Sequence, residues 1–201
     1  MTALPLIWGE GDASDVLQNR SARSDTLVRL DRQFDINPVD VISMAALGRD
    51  VLVLAQPRRL VPGELVALDK WLRRGGQVMI FADPELLGSS GLPVGDNRRA
   101  PPVTLLDPLF RHWGIALGDS DNRVRTKLIE SSNVAMAGSG TWQFGPNCSA
   151  IIPEVIDCRI GKGRAILIGD ADMLDARLWR EQKADNVAWI ASQLTKLASR
   201  R

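Results

Sequence analysis

Continuous apolar runs and apolar stripes at helical spacing alternate along the chain and outline most of its elements. After Asp50, Val51-Leu52-Val53-Leu54-Ala55 runs unbroken to Gln56 and Pro57, as a strand covered on both faces requires. Pro62 then stands where a first helical turn tolerates proline. Leu65, Leu68 and Leu72 recur at helical spacing, and Gly75-Gly76 supplies a left-handed stop, so a helix is predicted from Pro62 to about Arg74. Gln77 to Ala82 is a second apolar run, closed by Asp83 and Pro84. Strand, helix and strand form one βαβ unit with a right-handed crossover.

The flanks are patterned less sharply. Leu4 to Trp8 reads as a strand, Ser14 to about Leu30 as a polar helical connection and Phe34 to Val39 as a short strand. Gly88 to Pro102 mixes Gly, Ser, Pro, Asn and Arg without period and is predicted to be a long surface loop. Leu105 to Trp113 resumes helical spacing, Gly114 caps it, and Ile115-Ala116-Leu117 begins a strand. Short bursts at Val134 to Met136, Ala150 to Ile152 and Val155 to Ile160, set between Gly, Ser and Pro, suit antiparallel strands. Gly161-Lys162-Gly163 reads as a hairpin leading into the strand Arg164 to Ile168. A closing helix, capped by Asp185 or Asn186, buries Val187, Ile190, Ala191, Leu194 and Leu197, and Ser199 to Arg201 should fray. The expected fold is α/β, a mostly parallel sheet flanked by helices with antiparallel strands in the C-terminal third.

Length and charge narrow the picture. The 201 residues are one domain's worth by the usual size of roughly 100–200 residues. A net charge of +1, from 25 basic and 24 acidic residues, gives no global field to gather nucleic acid, and none is expected as a partner. No stretch approaches the roughly 20 apolar residues of a membrane span. The expectation is a chain soluble as written, at the periplasmic face of the inner membrane if tethered and otherwise cytoplasmic. Cys148 and Cys158 are free thiols or a pair; their spacing alone fixes no Cα distance.

In an open α/β sheet, ligands sit beyond the carboxyl ends of the strands, which selects Gln56, Asp83, Glu85, Asp170 and Asp172 as crevice candidates. Asp83, Asp170 and Asp172 suit a hard cation such as magnesium, yet an Asp after a strand commonly ties down a turn through its own side chain. No metal or other cofactor is expected. Gly161-Lys162-Gly163-Arg164 lacks P-loop spacing, and no Gly-x-Gly-x-x-Gly follows a strand. His112, the one histidine, falls within a predicted helix, and no zinc spacing is present. No catalytic residue is assigned. Arg98 and Arg99 in the long loop are candidates for contact with a partner.

In order, the run Asp50 to Pro57, the helix Glu64 to Arg74 with Gly75-Gly76, and Val78 to Pro84 resemble the soluble domain of gliding-motility-type ABC transporter auxiliary proteins. Leu105-Leu106-Asp107-Pro108-Leu109-Phe110-Arg111-His112-Trp113-Gly114-Ile115 and Gly161 to Asp172 continue the resemblance. It implies a flavodoxin-like sheet similar to class I glutamine amidotransferases, whose enzymes carry a nucleophilic cysteine at the strand-to-helix elbow with His and Glu downstream. Here the elbow reads Ala82-Asp83-Pro84 and no histidine follows position 112. The resemblance therefore implies a non-enzymatic binding or scaffold domain, partnered by an ABC transporter permease or another auxiliary subunit. The rival expectation is a hydrolase, transferase or small-molecule sensor using the acidic crevice. Trp8 and Trp179 are candidate reporters of ligand binding.

Overall fold

The computed structural model describes residues 1–7, 23–48, 50–88, 90–93, 95–96 and 98–199. Strand β1 (Val51–Ala55), helix α2 (Pro62–Arg73) and strand β2 (Gln77–Phe81) form the βαβ unit, with β1 parallel to β2 in the register Val51 to Gln77 through Ala55 to Phe81. Pro62 opens α2, and Glu64 secures its first turn. The Glu64 carboxylate accepts the Val61 and Ile42 amides and both Nη atoms of Arg58, two of these bonds at 2.8 and 2.9 Å. The helix ends in a Schellman motif: the Gly75 amide donates to the Leu72 carbonyl and the Gly76 amide to that of Trp71, with Gly75 at φ +113°.

Strand β9 (Gly163–Ile168) lies parallel to β2 on its other side. β8 (Val155–Ile160) and β7 (Cys148–Ile152) then add antiparallel, giving the order β1-β2-β9-β8-β7. The main sheet is thus mixed, parallel across β1, β2 and β9 and antiparallel in the C-terminal third as expected, with the two-residue turn Gly161-Lys162 forming the hairpin between β8 and β9; its parallel share, three of five strands, is smaller than a mostly parallel sheet's. Cys148 stands directly opposite Cys158, and the two form a disulfide. Two further antiparallel pairs complete the strands: β3 (Ile115–Ser120) with β6 (Gly140–Phe144), and β4 (Val124–Ile129) with β5 (Ser132–Ala137).

Alternation along the strands sorts the core into two layers. Leu52, Leu54, Val78, Ile80 and Leu167 face α2, α3 (Asp107–His112) and Trp142 of β6. Met79, Phe81, Ile166 and Ile168 face α5 (Asn186–Ala198), α1 (Asp25–Asp31) and the β4-β5 hairpin. Asp185 caps α5 through the Ala188 amide, and Trp189 and Ile190 are buried beneath it. A 3₁₀ turn (Asp172–Leu174) and helix α4 (Ala176–Glu181) link β9 to α5.

Two predicted strands are absent among the described residues. Leu4 to Ile7 forms turns, and only Thr2 bridges to Ala55; Phe34 to Val39 is irregular and partly exposed. The outer edge of β1 is met by residues 1 and 2 instead: the Met1 amino group donates to the Val53 carbonyl and the Ala55 amide to the Met1 carbonyl. Trp8 and the stretch from Ser14 to Ala22 lie outside the described residues, and of the helix predicted there only Asp25–Asp31 is described.

Candidate functional site

Parallel pairing of β1, β2 and β9 brings their carboxyl ends into one row, so Gln56, Asp83 and Asp170 emerge side by side. All three are fully buried. Gln56 adopts φ +39°, unusual for a residue with a side chain, and this turns its amide toward β2. Its Oε1 accepts the Asp83 amide at 2.9 Å, while its Nε2 donates to the Pro101 carbonyl at 3.0 Å.

The carboxylates are occupied by backbone. Asp83 Oδ1 accepts the Glu85 amide at 2.9 Å, and Oδ2 accepts the amides of Ala171 at 2.8 Å and Asp172 at 3.3 Å. Asp170 accepts Ala137 of β5 at 2.7 Å and Met173 at 2.9 Å. Asp172 reaches outward to the amides of Leu87 at 2.6 Å and Gly88 at 2.8 Å. Burial pushes Asp83 up to about 7, and the like charge of Asp172 adds to the rise against the pull of the Ala171 amide. Asp170 is held well above the ordinary carboxylate range, by burial first and by the charge of Asp83 second. Asp172 is raised as well, again chiefly by burial. These groups clamp the loops after β2 and β9 onto the sheet. Among the described residues no group of three or more His, Cys, Asp or Glu is placed to hold a metal ion.

The open crevice lies beside this clamp. A pocket of about 420 Å³ is enclosed by Leu4 to Leu6, the loop after β2, the turn after β9 and α4. Of the sequence-selected residues it takes in Asp172, Arg98 and Arg99; Gln56, Asp83 and Asp170 lie behind it, and Glu85 is an exposed residue outside it. His112 is also elsewhere, exposed at the end of α3 and 3.5 Å from Asp69.

The sequence profile of the family described as an ABC-type uncharacterized transport system matches residues 6–122, or 117 of the 201. The chain belongs to this ABC transport auxiliary family. No curated protein sequence matches it significantly. Solved structures share the fold of this auxiliary protein at low identity. The N-terminal domain of mmIFT52 aligns with a TM-score of 0.60 at 14% identity, covering 87% of this chain and 89% of that one. Two Salmonella typhimurium proteins titled cytoplasmic proteins STM1381 and STM3548 align at TM-scores of 0.54 and 0.53, with 10% and 9% identity and 86% of each chain covered.

Two arginines of the auxiliary protein's pocket escape the sequence reading. Arg177 and Arg180 belong to α4, a helix of six residues with one buried side chain, Trp179. Its sequence signal is the N-cap Asp175, whose Oδ1 accepts the Arg177 amide at 2.9 Å. Arg180 pairs with Asp25 and lies over the Trp179 ring at 5.5 Å. Trp179 itself is buried, its indole N–H 3.3 Å from Thr26 Oγ1.

Proposed function

We propose that this chain serves an ABC-type transport system as a non-catalytic binding domain, offering the strand-end pocket and the loop Gly88 to Pro102 to a permease or a second auxiliary subunit. One observation favours the non-catalytic part: Asp83, Asp170 and Asp172 each accept backbone amides on both carboxylate oxygens, the arrangement of aspartates that tie down turns. The same reading takes the domain as a single unit of the gliding-motility type, related to the flavodoxin-like amidotransferase sheet. In its favour are the parallel trio β1-β2-β9, helices on both faces and an aspartate at the elbow; the antiparallel β8 and β7 are this chain's departure from it. The Cys148–Cys158 disulfide supports an oxidising location, hence the periplasmic face of the inner membrane.

Affinity-tagged chain purified from its own cells tests the reading. The expected result is co-elution of permease or auxiliary subunits, reduced when Arg98 and Arg99 are both changed to Glu. Absence of every transporter component would overturn it. Turnover of any substrate that is lost in Asp83→Asn would revive the enzymatic alternative.

A further inference from the structure

We propose that the outer edge of β4 is a pairing surface for a second copy of this chain, joined antiparallel about Thr126 so that two hairpins make one four-stranded sheet. The inference is independent of the transporter reading and concerns a face of the molecule that reading does not use.

The phase of the hairpin decides which backbone groups are free. β4 pairs with β5 in the register Val124 to Ala137 through Ile129 to Ser132, and the Gly138 amide donates to the Arg123 carbonyl at 3.0 Å. Bonds to the partner strand alternate in an antiparallel ladder, so Arg125, Lys127 and Ile129 spend their backbone on β5 while Val124, Thr126 and Leu128 turn theirs away. On β5 the outward groups are met from elsewhere. The Ala137 amide donates to Asp170 Oδ2, the Asn186 side chain takes both the amide and the carbonyl of Ala135, and the Asp185 amide donates to the Asn133 carbonyl. Among the described residues nothing does this for Val124, Thr126 or Leu128.

This edge is held in place and is apolar. Its turn, Glu130-Ser131, has both residues at positive φ, as a type I′ hairpin requires, and the Glu130 carboxylate accepts from Gln193 and Lys196 of α5. Val124 and Leu128 are 51% and 71% exposed. Edge strands are commonly guarded by free basic side chains, yet here Arg125 is paired with Asp121 and Lys127 with the buried Glu154.

The order Val124-Arg125-Thr126-Lys127-Leu128 selects the occupant, because its chemistry reads the same in both directions. About a two-fold axis at Thr126, Val124 lies opposite Leu128 of the second copy and Thr126 opposite Thr126, each facing pair exchanging both of its backbone bonds. Apolar side chains then meet apolar ones, and threonine meets threonine. Arg125 falls opposite Lys127 of the second copy, a like-charge contact relieved by the carboxylate each already holds. An acidic peptide, the other occupant a basic strand suggests, would find both cations engaged. A contact confined to one strand pair is small, so the dimer is a reversible one.

Sedimentation and light scattering of the purified full chain across the micromolar range test the proposal, with amide exchange followed residue by residue. The mass should rise from 22.0 kDa toward twice that value as concentration increases. In the dilute chain the amides of Val124, Thr126 and Leu128 should exchange freely and those of Arg125 and Lys127 slowly; on concentration the first three should slow by about tenfold or more. Thr126→Pro removes an outward N–H and none bonded to β5, so it should abolish the dimer while leaving the circular dichroism unchanged. Should that variant misfold, Thr126→Cys decides the matter: it should cross-link to itself across the axis under mild oxidation, whereas Leu128→Cys, which faces Val124, should not. A mass of one chain at every concentration, a dimer that survives Thr126→Pro, or equal cross-linking by the two cysteine variants would each overturn the proposal. Protection of the β4 amides that arises only with a transporter subunit bound would also overturn it, giving the edge to a strand of another protein. None of these outcomes depends on whether a transporter component co-elutes with the chain.

Discussion

Asp83 and Ala171 stand 88 positions apart in sequence, yet the Ala171 amide donates to Asp83 Oδ2 at 2.8 Å, joining the end of β2 to the turn after β9. Because Oδ1 also accepts an amide, that of Glu85, neither oxygen can be exchanged for an NH₂ group without setting donor against donor. Asp83→Asn should therefore destabilise the fold by about 1–3 kcal/mol although it removes a buried charge. Urea denaturation measures this directly. An unchanged midpoint would contradict this, showing that relief of the buried charge offsets the lost acceptor.

The raised carboxylates set a slope with pH. Between the ordinary carboxylate range and about 7, folded Asp83 keeps a proton that the unfolded chain has released, and Asp170 behaves alike. The folded state binds more protons there, so stability falls as pH rises through that window and levels above it. Glu64 works in the opposite sense. Its ion pair with Arg58 holds it down to about 2, so its contribution is lost as pH falls from its ordinary 4.5 toward that value. Above about pH 6 the Met1 amino group works against this slope, because burial lowers it from 8.0 to about 6 and the unfolded chain then binds the extra proton. Melting temperature should therefore peak near about pH 4–5 and fall between about pH 5 and 6, and a rise across that interval would contradict the assignment.

What the sequence discloses follows burial. The well-covered strands β1, β2 and β9 read as apolar runs and are found close to their observed limits, and β8, with Asp157 and Arg159 in it, is found from the short burst Val155 to Ile160. β4 is missed because Val124, Thr126 and Leu128 are exposed and Arg125 and Lys127 alternate with them, so its period of two carries little apolar contrast. The site divides in the same way. Its aspartates are legible as polar residues closing apolar runs, but that each would be consumed by amides from distant loops depends on contacts no local pattern encodes. Arg177 and Arg180 stay hidden in a helix too short to show a period.

Gly163 begins β9 against the end of α2, where a Cβ would meet the Leu72 carbonyl oxygen at 2.1 Å and that of Gly76 at 2.4 Å. Both obstacles are backbone and cannot swing aside. Gly163→Ala should cost about 3 kcal/mol or more, because β9 or α2 has to move. Gly63, in the first turns of α2, has nothing within 4 Å of its Cβ position. Gly63→Ala should add about 0.5–1 kcal/mol by reducing the freedom of the unfolded chain. Thermal melts of the two variants should move in opposite directions, and parallel losses would refute the packing of β9 against α2.

The disulfide ties the outermost strand of the main sheet to its neighbour. β7 pairs only with β8 in that sheet, and its residues are mostly half-buried or exposed, so it has little apolar burial to hold it in register. Cys148 and Cys158 close a short loop with a separation of ten, for which chain entropy assigns about 2–3 kcal/mol. Reduction, or Cys148→Ser with Cys158→Ser, should lower stability by that amount and raise amide exchange first in β7, while β1, β2 and β9 stay protected. Thiol titration of the denatured, unreduced protein should find no free cysteine. If two thiols react, or if reduction leaves the melting temperature unchanged, β7 is held by its hydrogen bonds alone and the argument for an oxidising compartment falls with it.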